Sequence, residues 1–184
     1  MLFRSKKIFA ILAVAISGTA FAADYVTVDV DHVQSKQGYA DSTVQYVRAG
    51  KEVAGLQLGL QSRTSVSSAG GTYHSLETTV GKSIAGFTPF VGMGFDNGLN
   101  GAKNGDFRYT LAGVTTGTPA LGGYVLGGVK TRLTSTEANM THQTVAFGTY
   151  SYPVAKQVAI NLNVSKSYQD IKENAWGLGV GFSF

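Results

Sequence analysis

The sequence predicts an all-β chain: a transmembrane, antiparallel up-and-down β-barrel of about ten strands, with eight as the alternative count. Three observations predict it. The last nine residues alternate between large apolar and minimal side chains without a fault. The composition holds too little charge for a surface that faces water on all sides. The remaining chain breaks into short alternating stretches joined by short turns and longer loops in regular succession.

In the last stretch, Trp176, Leu178, Val180, Phe182 and Phe184 fall on one face of a strand. Gly177, Gly179, Gly181 and Ser183 fall on the other, because successive side chains point to opposite faces. A soluble sandwich places Lys, Glu or Thr on its wet face. Here the quiet face is almost bare, which suits the inside of a barrel whose outside meets lipid. This alternating strand closed by Phe184 resembles the C-terminal assembly signal of Gram-negative outer-membrane β-barrel proteins, the small porin-like superfamily. The resemblance is close over this strand and extends to the rest of the chain only as a pattern. It implies insertion by the barrel-assembly machinery and contact with outer-membrane lipid and lipopolysaccharide.

Residues 1–22 read as a signal peptide. Arg4, Lys6 and Lys7 precede a short apolar run from Ile8 to Ile16, and Ala20-Phe21-Ala22 fits the small-x-small cleavage pattern. That run is well short of the ~20 residues a spanning helix needs. Residues 23–184 then form one outer-membrane β-barrel domain. Cleavage would remove three of the 15 basic residues and none of the 11 acidic ones, so the net charge would fall from +4 to +1. The basic balance of the full chain therefore says nothing of nucleic acid. Charged residues make up 14%, against about 25% in typical soluble proteins. There is no cysteine for a disulfide framework.

The stretches follow in order. In residues 25–33, Val26, Val28 and Val30 oppose Thr27, Asp29 and Asp31. In 42–48, Val44 and Tyr46 oppose Thr43 and Gln45, and a tight turn is expected at Gly50-Lys51. In 53–64, Leu56, Leu58 and Leu60 oppose Gln57, Gly59, Gln61 and Arg63. In 72–82, Leu76 and Val80 oppose Ser75, Glu77 and Thr79; in 87–96, Val91, Met93 and Phe95 oppose Gly92, Gly94 and Asp96. The sixth stretch, 107–114, sets Phe107, Tyr109 and Leu111 against Arg108 and Thr110, with a turn expected over 115–120. The seventh, 121–133, takes Lys130 and Arg132 inward with Tyr124 and Leu126. The eighth, 141–152, puts Val145 and Phe147 outward, and a turn is expected over 153–156. In the ninth, Val158, Ile160, Leu162 and Val164 oppose Ala159, Asn161, Asn163 and Ser165. Merging the poorly phased sixth to eighth stretches gives the eight-strand alternative.

With both ends in the periplasm, the loops beginning at Gln34, Ser65, Asn97, Thr134 and Gln169 face outside. Asp29, Asp31, Arg63, Glu77, Asp96, Arg108, Lys130 and Arg132 then form a lumen charge network, mostly in the outer half of the strands. Below it, inward Gly, Ala, Ser, Thr, Asn and Gln predict a polar, glycine-lined space. Such a network either narrows and gates a passage or only neutralises itself. Arg48, Lys82 and Lys166 phase outward at strand ends, where a long stem reaches the headgroups.

The expected role is a narrow porin-like channel for passive diffusion of ions or small solutes, or a structural barrel. The alternative is an adhesion or surface-binding protein acting through its external loops. An outer-membrane enzyme is less favoured. His32, His74 and His142 lie near the outer rim, but in Asp31-His32 and His74-Ser75 adjacent side chains point to opposite faces. No catalytic residue, metal site or cofactor is expected, and no nucleic-acid partner. Oligomeric state is left open.

Overall fold

The computed structural model describes residues 24–36, 40–97, 107–135, 142–169 and 172–184. The expected leader and His142's side chain lie outside the described residues. Ten strands follow one another: β1 (Tyr25–Ser35), β2 (Ser42–Val53), β3 (Leu56–Ser67), β4 (Thr72–Gly81), β5 (Phe87–Asn97), β6 (Phe107–Ala120), β7 (Gly123–Ser135), β8 (His142–Ala155), β9 (Val158–Gln169) and β10 (Glu173–Ser183). Each pairs antiparallel with its neighbours in sequence, and β10 pairs with β1 to close the barrel. Register across the closing seam is continuous, from Tyr25 opposite Ser183 to Ser35 opposite Glu173. Closure leaves no strand edge, the condition for a sheet in lipid.

Three of the short turns are two residues long and share one chemistry. Ala54-Gly55, Ala85-Gly86 and Leu121-Gly122 all take positive φ at both positions, the hairpin geometry that matches strand twist. These X-Gly pairs displace two of the expected turns. β2 runs on through Gly50-Lys51 to Val53, and β6 runs on through Gly117 and Pro119 to Ala120. β8 likewise continues to Ala155, with a register shift between Pro153 and Ala155, and turns at 156–157. Glycine and proline inside a stretch are turn signals by composition, but Gly50, Gly117 and Pro119 are strand positions.

The two faces of the sheet invert the usual rule of burial. Val91, Met93, Leu162, Val164, Trp176 and Leu178 are exposed on the outside, Met93 at 66%. Asp29, Glu77, Asn161 and Asn163 are buried on the inside, each below 10% exposed. An apolar band of this kind is stable only against an apolar medium.

Three strands have the opposite phase from that expected. Register carries the inward face from Asp29 to Tyr46, from Gly94 to Tyr109 and from Lys130 to Val145. Val44, Tyr46 and Arg48 therefore point inward, as do Tyr109 and Leu111, and Val145 and Phe147. Arg108 and Thr110 face outward and are exposed. The reason is packing: toward the loop end the lumen is partly filled. Val33, Val44 and Ala175 form a small apolar cluster there, with Tyr46 against it, and Tyr109 and Leu111 are each 3% exposed.

Candidate functional site: the charged belt of the lumen

Seven of the eight residues expected in the lumen face it. Asp29, Asp31, Arg63, Glu77, Asp96, Lys130 and Arg132 lie on the inward register of β1, β3, β4, β5 and β7. Arg108 does not. It stands beside Phe95 on the outer face, and Arg48 takes its place among the inward charges. Arg48 was expected at the lipid surface because it shares a face with Val44 and Tyr46; the signal was present but its phase was inverted. With Arg48, the described belt holds four acidic and four basic side chains and is neutral.

The belt has two centres. At the first, the Glu77 carboxylate accepts from three side chains on two other strands. Lys130 Nζ donates to Oε1 at 2.6 Å. Arg132 Nη2 and Nε donate to Oε2 at 2.8 and 3.2 Å, and Tyr109 Oη donates to the same atom at 3.1 Å. Arg132 Nη1 also reaches Gln143 Oε1 at 3.0 Å. This spans β4 to β8, and it is possible because β5 contributes only Gly94 to the level between Glu77 and Tyr109. A Cβ at Gly94 would overlap the Tyr109 ring.

At the second centre, Asp29 accepts from Arg48 Nη1 at 2.5 Å and from Thr27 Oγ1 at 2.9 Å. Its other oxygen accepts from Asn163 Nδ2 at 2.9 Å and Asn161 Nδ2 at 3.3 Å. Asn163 and Asn161 are themselves oriented by Thr149 and Ser151 on β8. Arg48 Nε donates to Gln61 Oε1 at 3.0 Å, and its guanidinium lies 4.3 Å from the Tyr46 ring centroid. The glycines of the last strand have a part here. Asp29 and Asp31 sit opposite Gly179 and Gly177, and a Cβ at either glycine would overlap the aspartate side chain.

One step toward the loop end, one carboxylate oxygen each of Asp31 and Asp96, and Arg63 Nε, are buried without a hydrogen-bond partner among the described residues. A cavity of about 810 Å³ occupies the lumen. Its lining reaches from Asp24, Glu52, Gln157 and Ser183 at the turn end to Gln143, Ser167 and Glu173 toward the loop end.

The outer face carries the remaining expected groups. Trp176, Leu178, Val180 and Phe182 of the terminal strand point outward, and Phe184 is exposed just beyond it. Lys82 and Lys166 are exposed on that face as expected, with Lys166 Nζ 5.3 Å from the Tyr168 ring centroid. His32 and His74 also face outward, on β1 and β4. His32 packs at 5.7 Å between ring centroids on Trp176, and His74 Nδ1 meets Thr64 Oγ1 at 3.1 Å. Among the described residues, no three His, Cys, Asp or Glu side chains are grouped to hold a metal ion.

No protein-family model matches the chain, and no curated protein matches it. Solved structures do. The translocator domain of the autotransporter NalP from Neisseria meningitidis aligns over 98% of this chain and 98% of its own, at 13% identity and a TM-score of 0.51. The fold is that of an outer-membrane β-barrel. Neisserial surface protein A aligns over 87% of this chain and 96% of its own, at 14% identity and a TM-score of 0.45. A KdgM porin, solved in complex with disordered oligogalacturonate, aligns over 86% and 99% at 11% identity and a TM-score of 0.43. Identities this low are a likeness of fold.

Proposed function

We propose that residues 23–184, exported by the leader, form a narrow porin-like channel in the outer membrane for passive diffusion of ions or small uncharged solutes. The observation that carries this reading is the cavity of about 810 Å³, lined by residues from both ends of the barrel and crossed by a neutral belt of charge. The buried polar atoms of Asp31, Arg63 and Asp96 support it. Such groups are strongly destabilising in a dry interior and are satisfied by water. Carboxylates held by four hydrogen bonds each, as at Glu77 and Asp29, make a fixed constriction rather than a mobile one. The belt then acts as a sieve that limits size while its neutrality limits ion selectivity.

The test is single-channel conductance of refolded residues 23–184 in a planar bilayer. Steady, weakly selective steps are the expected result. A protein shown to have inserted but silent would mean a filled, structural barrel. Function would then be sought in the external loops, several of which lie outside the described residues.

A further inference from the structure

Between the belt and the turn end the lumen changes character. Tyr25, Phe90, Tyr124 and Phe147 all line the cavity. Each leans over a glycine: Tyr25 over Gly50, Phe90 over Gly113, Tyr124 over Gly117 and Phe147 over Gly128. In every pair a Cβ on the glycine would overlap ring atoms. The ring takes the place of the side chain its neighbour lacks, so it lies along the wall instead of standing across the passage. All four rings also border the cavity, so part of each is open to it. Tyr25 and Tyr124 keep 47% and 44% of their surface exposed. Interleaved with the rings on the turn side of the belt are neutral hydrogen-bonding groups, chiefly Gln57, Thr79, Thr115 and Gln157.

We propose that this section of the lumen binds small carbohydrates, which it passes through the channel described above. The inference rests on that channel reading. Exposed ring faces offer flat apolar area at little loss of conformational freedom. A pyranose ring presents a flat C–H face to such a surface and hydroxyl groups around its rim, which amides serve as both donors and acceptors. The other solute classes fit less well. Lys130 and Arg132 are already shared by Glu77, and the turn end of the cavity carries Asp24 and Glu52 as well as Lys51 and Lys156, so an organic anion meets no surplus of positive charge. An acyl chain would leave the amides without partners. The whole lumen cavity, of which this section is a part, lies within the ~300–1,000 Å³ usual for small-molecule sites.

The experiment is sugar titration of the open channel with glucose, maltose and maltotriose, against polyethylene glycol of matching size. The barrel is refolded in lauryldimethylamine oxide, whose headgroup carries no sugar. Saturable current block by maltose and maltotriose, and not by the polymer, is expected. The double variant Tyr124→Leu, Phe147→Leu keeps apolar bulk and removes the flat faces, and should weaken block about tenfold. Block no stronger than the polymer's, or unchanged in the double variant, would overturn the inference and leave the channel standing. If the inserted protein is silent, the channel reading fails on its own, and calorimetric titration with maltotriose decides the site. Heat of binding that the double variant loses supports it; no heat overturns it.

Discussion

Among the described residues, Glu77 is the carboxylate ion-paired with both Lys130 and Arg132. Removing one partner from a buried ionic group leaves the others uncompensated, typically at roughly 3–5 kcal/mol. We expect Glu77→Gln to lower unfolding stability by about that amount, read from urea unfolding in lipid vesicles. The lumen would gain one net positive charge, so the reversal potential in a potassium chloride gradient should move toward anion selectivity. Arg108→Ala makes the opposite prediction. That side chain lies on the outer face beside Phe95, so conductance and selectivity should match those of the unaltered protein. A changed selectivity would return Arg108 to the lumen and contradict the phase of β6. Lys130→Ala, by contrast, should alter selectivity.

Within single strands, glycine matters where a neighbouring side chain occupies its place. At Gly94 a Cβ would meet the Tyr109 ring, and at Gly181 the nearest atoms are 3.5 Å away. Gly94→Ala should therefore destabilise by about 1–3 kcal/mol, as overpacking does, and should displace the Tyr109 hydroxyl from Glu77. Gly181→Ala should stay within about 0.5 kcal/mol. Equal effects at the two sites, measured by the same unfolding titration, would count against the ring-over-glycine arrangement. The alternation of β3, β5, β9 and β10 was legible in the sequence because one face is strongly apolar and the other is small or polar. In β6 and β8 it was not. The outward face of β6 mixes Arg108, Thr110, Ala112, Val114 and Thr116, and that of β8 runs from Thr144, Ala146 and Gly148 to Tyr150 and Tyr152. Neither face of these strands is clearly apolar, so alternation alone assigns no side to them.

For the whole molecule, closure by ten antiparallel pairings leaves no edge at which unfolding starts. The mature protein should therefore migrate differently on a denaturing gel before and after boiling. Identical mobility would argue against a closed barrel. The described belt's charges cancel, so ion selectivity of the unaltered channel should be weak. Strong preference for either ion would point to charges at the ends of the cavity, such as Asp24, Glu52 and Glu173, or on the loops outside the described residues.

The sequence by itself determined the fold class, the lipid-facing strand that closes the barrel and seven of the inward charges, and it left ten strands or eight, which the structure settles at ten. Those follow from two-residue periodicity, which is local and survives without knowledge of neighbours. Only the tertiary structure decided which face of β2, β6 and β8 is inside. It brought Arg48 to Asp29 and Tyr109 to Glu77, and it showed that inward glycines are covered by neighbouring side chains, Gly94 by the Tyr109 ring and Gly177 and Gly179 by Asp31 and Asp29. The physical reason is that register is a relation between strands. A face that is ambiguous within its own strand is assigned by the strand it pairs with, and here Gly94 opposite Tyr109 does so for β6.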